Sequence, residues 1–551
     1  MQRSVTRALS SLTLSLAAVA TPASAQAPIF ELGQITAPGA AAGERLGDQI
    51  SLAPGWLCGG IPNRDLSFTR AGVALVWPRQ SGSYGTPVSL ESPTPTANGG
   101  FGLACALSGT GELVVSERRF QVPGASSLGA VHHYVEQAGT WISTGPVANP
   151  GASNDGFGQS VAYDGDLMVV GAPLAGPQPG LQGVAHVFQR TTGGWTLLST
   201  LDAGAGGNLE QFGWSVAVQG RRVLVGAPRH LDAGALRGAA YFFEEVGGVW
   251  TRVLRVVPDA TSGDRYCGVS VAMDGNTAVI GATQTNQVGA VYHYERAGGA
   301  WSEIERLQPG NLGANATFGH SVAVRGDQLV VGAYQDTAAG LLAGSAWTFE
   351  RVGGSFVPRA RLVQSSPPAF HGFSVALDGA GEYVVGQPIG TPAGGPSASG
   401  ILRWYRPEPE IGASYCTAVN HSGGLAGQIS ALGSAVAASN STTLVAHDLP
   451  SNAFGFFITS RTQGMVAQPG GSQGVLCLGG AIGRYVGPGQ IANSGSLRTF
   501  QLDLDLSAMP TPNGLVPALA GETWNFQAWH RDLVGGSVTS NFTGAVSVLL
   551  Q

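Results

Sequence analysis

The chain has 551 residues, 43% of them hydrophobic, and a formal charge of −6 in which every basic side chain is arginine. The absence of lysine excludes Schiff-base and lysine general-base chemistry, and an acidic chain without clustered basic residues lacks the footprint of a nucleic-acid binder. With 84 Gly, 32 Pro and only 11% charged residues, against about 25% in an average soluble domain, the composition describes many short strands joined by tight turns.

The first element in chain order is an export signal. Arg3 and Arg7 precede an apolar stretch over residues 8–20, and Ala23-Ser24-Ala25 has the small-x-small form of a cleavage site. Cleavage after Ala25 places the mature chain outside the cytoplasm, as a secreted, periplasmic or cell-surface protein. No later run of 18 apolar residues exists, so no transmembrane segment is expected. Export permits disulfides. The five cysteines (Cys58, Cys105, Cys267, Cys416 and Cys477) include no CxxC pair, which argues against a zinc ribbon or a thioredoxin-like site.

Residues 26–408 are dominated by a repeat. Its clearest copies are FGQSVAYDGDLMVVGAP (157–173), FGWSVAVQGRRVLVGAP (212–228) and FGHSVAVRGDQLVVGAY (318–334). Copies at 267–283, 101–118 and 371–388 are close variants, and the most divergent spans 46–62, making seven. Each copy is followed by a Gly-led strand ending in an aromatic residue, then by a further strand marked by Tyr84, Trp141, Trp195, Trp250, Trp301 or Phe356. Four strands in each of seven units predict an all-β, seven-bladed propeller, because closing the ring hides sheet edges that a flat stack would expose. The seventh unit lacks its last strand, while an orphan strand, Phe30–Ile35, stands before the first. That strand is predicted to complete blade seven and close the ring.

The pattern FGxSVAxDGDxxVVGAP resembles the FG-GAP repeat of integrin α-subunit propellers and of exported bacterial proteins, over roughly residues 29–405. Some integrin-type blades hold calcium in an Asp-rich loop between their first two strands. Here that connection is a tight turn with at most Asp164 and Asp166, too few oxygens for the ion, so no metal or other cofactor is expected. Arg325-Gly326-Asp327 falls on the same turn and reads as turn grammar rather than an adhesion signal. Gly158-Gln159-Ser160 approaches a nucleophile elbow, but its serine recurs as Ser215, Ser270, Ser321 and Ser374, so it is structural, and no catalytic residues are assigned. His132 and His133 point to opposite faces of one strand at blade-packing positions, and His320 stands on an innermost strand near the channel. The resemblance implies ligand contacts in the connection after the second strand. The candidate residues there are Arg229, His230, Asp232, Gln335 and Asp336.

Residues 409–551 abandon the period. Alternation such as Phe500–Leu506 and the absence of helical periodicity predict a β-sandwich, similar to C-terminal segments appended to exported bacterial repeat proteins. Cys416 and Cys477 are its only cysteines and are expected to pair. A Cys58–Cys105 bridge between blades one and two is a further candidate, and Cys267 is expected as a small buried hydrophobe. His530-Arg531-Asp532 reads as the salt-bridged end of a strand, with a small-ligand or glycan site as the alternative. The functional expectation is a non-catalytic exported binding, adhesion or surface protein whose partner is an extracellular protein or glycan. A polymer-degrading lyase or hydrolase on the propeller, or a structural envelope component, are the alternatives.

Overall fold

The computed structural model describes residues 29–551 apart from 81–82, 119–127, 152–153, 177–181, 205–209, 284–287, 311, 314, 338–339, 365–368, 380, 408–410, 441, 496–497 and 536. The expected export signal therefore lies outside the described residues.

Between Ile29 and Pro407 the described strands form seven antiparallel sheets, the blades of a β-propeller, and one small hairpin, Leu231–Asp232 with Ala235–Leu236. A representative blade, the third, runs Ser160–Asp164, Leu167–Ala172, Val184–Thr191 and Gly194–Leu201, each strand paired to the next. The second strands are the most buried, and Leu167–Ala172 is buried at every position. Such a strand is covered on both faces by neighbouring blades, which explains its continuous apolar run instead of an alternating one.

The closing strand is where the sequence places it. Ile29–Ile35 pairs antiparallel with Ile401–Pro407 and forms the outer edge of blade seven. Glu31 on this strand reaches Arg403 and Gln364. A parallel bridge between Leu46 and Gly400 joins blade seven to blade one. Blade one departs from expectation at its edge. Tyr84 lies in a separate two-residue strand, Ser83–Tyr84, paired with the end of the third strand, and Val88–Leu90 pairs with the rest of it.

The repeat's grammar follows from the joints between blades. Ser160, Ser215, Ser270, Ser321 and Ser374 each donate their hydroxyl to the carbonyl of a glycine in the next blade, respectively Gly213, Gly268, Gly319, Gly372 and Gly47, at 2.7–3.1 Å. The glycine of VVGAP sits against the same carbonyl: a Cβ on Gly226 would lie 2.0 Å from the Gly268 oxygen. Both residues are thus fixed by the approach of two backbones, and the serine is a bolt rather than a nucleophile. The hairpin turns on the opposite face are laced together too. Gly326 in the Arg-Gly-Asp tripeptide donates its amide to Asp274 of the preceding blade, and Asp327 is paired with Arg351.

Residues 413–549 fold around a second core. One sheet contains Ala413–Cys416, Ser537–Leu549, Thr523–Val534 and Phe454–Ser460; a second contains Gln428–Gly433, Thr442–His447 and Phe500–Leu504. Trp524, Phe526, Phe457, Leu444 and Phe500 interleave between them, as the two inner faces of a sandwich must. Cys416 and Cys477 are bonded to each other. Cys58 and Cys105 are both free thiols, a correction to the inter-blade bridge. They remain neighbours, with the Cys105 sulfur 3.9 Å from the Cys58 carbonyl oxygen. Cys267 is fully buried.

Candidate functional site: the channel mouth

The innermost strands surround a channel of about 460 Å³, lined by successive x-Ser-Val triplets such as Gln159-Ser160-Val161, Trp214-Ser215-Val216 and His320-Ser321-Val322. Its wall is therefore largely small or apolar, and its character changes at the end where the strands begin. There the chain enters six of the blades through a tight turn. The amides of Asp48, Gln159, Trp214, Val269, His320 and Phe373 each bond back to the carbonyl three residues earlier, at 3.0–3.3 Å. That earlier residue is left-handed in all six, Arg45 (φ 65°), Gly156 (78°), Gln211 (57°), Tyr266 (54°), Thr317 (57°) and Phe370 (55°), as is Gly100 (66°) at the equivalent position of blade two.

Glycine is the residue such a position favours, yet only two blades use it. Holding five side chains in this region, one of them β-branched, costs on the order of 1 kcal/mol each. Strain that recurs at one locus in this way marks a site where side chains serve something other than the fold. The turn also sets its first and fourth residues close together, so Arg45 and Asp48 form an ion pair at 2.9 Å.

One sector of the rim is aromatic. His320 packs on Tyr334 (ring centroids 4.4 Å apart) and on Phe373 (4.8 Å), and Tyr334 also meets Phe370 at 5.3 Å. Arg45 lies over the Phe373 ring at 5.9 Å. All five are half-buried. Burial pushes His320 down to about 4, so its ring is neutral at neutral pH. Burial raises the Asp48 carboxyl while Arg45 draws it back. The arrangement offers stacking surfaces beside a carboxylate, a guanidinium and, across the mouth, the Gln159 amide.

The loop residues expected to meet a ligand divide. Arg229 is exposed, Gln335 is half-buried, and Asp232 is partly exposed and paired with Arg237 at 3.5 Å. His230 and Asp336 are buried and committed to the joints, which corrects their assignment as ligand contacts. His230 meets Glu210 at 3.2 Å, and Asp336 holds Arg361 and Ser345. They belong to a recurring feature, a buried acid at the blade joint. Glu44, Asp155 and Glu210 stand two residues before their blade's first core residue and Asp264 three before; their partners are Arg64, Asn149, His230 and Arg306. In blade two that position is Gly99, and the carboxylate comes from Glu117, whose Oε1 would lie 3.0 Å from a Cβ there. Glu117 in turn bonds His132 at 2.9 Å, while His133 bonds Thr144 of its own blade and reaches Arg190 of the next. The acid's regular offset was visible in the sequence. The aromatic sector was not, because Tyr334 and Phe373 belong to different blades.

Four stretches match the FG-GAP repeat: residues 147–188, 195–243, 250–294 and 301–349. After the first, each begins on the outer strand of one blade and ends on the third strand of the next, so the sequence unit is offset from the blade by one strand. This is consistent with an FG-GAP repeat protein. Among solved structures, "Crystal Structure of Mitotic Checkpoint Complex" is similar at 11% identity and a TM-score of 0.44, covering 69% of this chain and 96% of that one, a likeness too slight to bear on function. Comparison with curated proteins returns no match. Among the described residues no helix is long and apolar enough to cross a membrane.

Proposed function

We propose that this chain is an exported, non-catalytic binding protein that recognises an extracellular protein or glycan at the channel mouth of its propeller. The observation that carries this reading is the ring of left-handed turns, five of them bearing side chains where glycine would be easier. A mouth with stacked aromatic faces beside a few polar groups has the make-up of a ligand site. Of the two partner classes, it suits a glycan: a sugar ring lays its C–H face on Tyr334 or Phe373, while Asp48, Arg45 and Gln159 take its hydroxyls. The small and apolar wall below supports binding over cleavage, since glycoside hydrolysis calls for two carboxylates flanking the bond and the lining carboxylate Asp48 is engaged by Arg45.

A glycan array and a pull-down from extracellular material, both with the full mature chain, test this. Binding is expected to fall at least tenfold in Tyr334→Ala and Phe373→Ala and to be unchanged in Arg221→Ala on the opposite face. Wild-type binding that both aromatic variants retain would refute the mouth as the site.

A further inference from the structure

We propose that the C-terminal sandwich carries its own small-molecule site, a pocket for a carboxylate borne on an apolar body. The pocket has a volume of about 500 Å³. It opens where the strand Thr523–Val534 ends beside the start of Phe454–Ser460 and the connections around residues 423, 450 and 498. It is the place to which the His530-Arg531-Asp532 triplet leads, and among the described residues the salt-bridged strand end expected there does not form. Asp532 instead accepts hydrogen bonds from the amides of Ser422 (3.0 Å) and Leu533 (2.8 Å) and from Asn541 (3.4 Å). Its charge is satisfied by the fold, and these bonds hold it below its ordinary range against the opposing effect of burial. Arg531 is exposed, and its side chain makes no hydrogen bond or ion pair among the described residues.

The second arginine is held in place. Arg498 donates Nε to the Leu449 carbonyl at 2.6 Å, while the Leu449 amide donates to the Arg498 carbonyl at 3.0 Å. This reciprocal pair fixes the guanidinium and leaves its two terminal nitrogens without a hydrogen-bond partner among the described residues. Gly423 makes room for them, since a Cβ there would lie 2.7 Å from Nη2. Arg498 is left-handed (φ 60°), as are Asp448 (55°) and Asn452 (56°) on the facing loop. That loop is pinned by Ser494, which donates to the Pro450 carbonyl at 2.6 Å and accepts from the Ala453 amide at 2.9 Å. Three left-handed residues and a braced loop around a guanidinium whose terminal nitrogens have no hydrogen-bond partner among the described residues, with Asp448 as a nearby charge, describe a preorganised site.

The two guanidiniums select an oxyanion, because arginine's planar fork matches a carboxylate. The walls select the rest of the ligand. Phe454, Leu533 and Val538 are 50%, 53% and 72% exposed, and with Pro450 and Ala453 they line the cavity. An apolar body covering these side chains removes them from water, which a sugar would do poorly. The site is independent of the channel mouth, so either can fail without the other.

Isothermal titration and saturation-transfer NMR of the full chain with benzoate, hexanoate, benzamide and galacturonate test the proposal. Benzoate and hexanoate are expected to bind, with uncharged benzamide at least about tenfold weaker. Arg531→Gln is expected to weaken benzoate about tenfold with an unchanged thermal melt, because that side chain supports nothing in the fold. Arg498→Gln is expected to weaken it further. The proposal is overturned if no carboxylate binds, if benzamide binds as well as benzoate, if both arginine variants retain wild-type affinity, or if galacturonate outcompetes the apolar acids.

Discussion

The propeller and the C-terminal sandwich deal with polar side chains in opposite ways. In the propeller many are consumed within and between the blades: Asp264 holds Arg306 and Tyr292 of the blade it leads into, Glu244 holds Arg296 of the next blade, and His293 lies between Glu295 and Glu305 of its own. What is left for a ligand is a thin ring at the mouth, where the repeat's pattern relaxes. In the sandwich the buried polar groups are mostly neutral amides and hydroxyls, and around one pocket the Arg531 side chain and the terminal nitrogens of Arg498 have no hydrogen-bond partner among the described residues. A repeated architecture must join each blade to the next, so its polar residues are structural by default. A single-copy domain has no such demand, and an unpartnered cation there is the more telling signal.

The comparison breaks most readily at the closing strand. Deleting Ile29–Ile35 removes a whole edge from blade seven together with the Glu31 contacts, and it should cost at least about 5 kcal/mol, lowering the propeller's melting temperature by roughly 10 °C. Hydrogen exchange read by mass spectrometry should show the loss in residues 29–407 and none in the sandwich. Equal protection in both proteins would show that the ring closes without its strand. The disulfide gives the converse. Cys416→Ser with Cys477→Ser opens a loop of 61 residues and should destabilise the sandwich by about 4 kcal/mol on the loop-entropy account, leaving blade protection intact.

Acid should separate the two regions next. Burial depresses His133, His186 and His320 to about 4 and His371 to about 3, with Arg190 and Arg403 adding to the first and last. In the sandwich, burial likewise lowers His530. A histidine whose folded value lies below its unfolded value of about 6.5 is protonated first in the unfolded chain. Its contribution is therefore whole above pH 6.5 and lost as pH falls from there toward 4. With four such groups against one, the propeller should lose more protection than the sandwich between pH 7 and pH 4.5. Equal losses would remove the histidines as the cause.

Much of this was legible because the chain can be aligned with itself. Register turned Ser160 and Arg325-Gly326-Asp327 from chemical signals into strand and turn positions, and it placed the closing strand at Phe30–Ile35. Register also misled. His230 and Asp336 vary between copies, as ligand contacts should, yet they vary because blades satisfy the joint acid from different directions. The aromatic sector at Phe370, Phe373, His320 and Tyr334 was hidden because its contacts cross blades. The sandwich gave fewer signals still: alternation and two cysteines pointed to its fold, but Arg498 is brought to Arg531 by loops that carry no pattern.

The smallest expected effect concerns the bolts. Ser270→Ala removes one hydroxyl and leaves the Gly319 carbonyl short of a donor, which should cost about 1 kcal/mol. Gly281→Ala at the same joint should cost several times more, since its Cβ would lie 2.0 Å from that carbonyl and two backbones would have to part. Blade two supports this division of roles, because there Ala104 replaces the serine and Ser116 the glycine, with the Ala104 amide donating to the Ser116 hydroxyl at 2.9 Å. The joint thus tolerates a moved hydroxyl provided the neighbouring backbone shifts with it. Denaturant midpoints for the two variants decide the matter: equal losses would mean that the serine, and not the close approach of the strands, sets the spacing between blades.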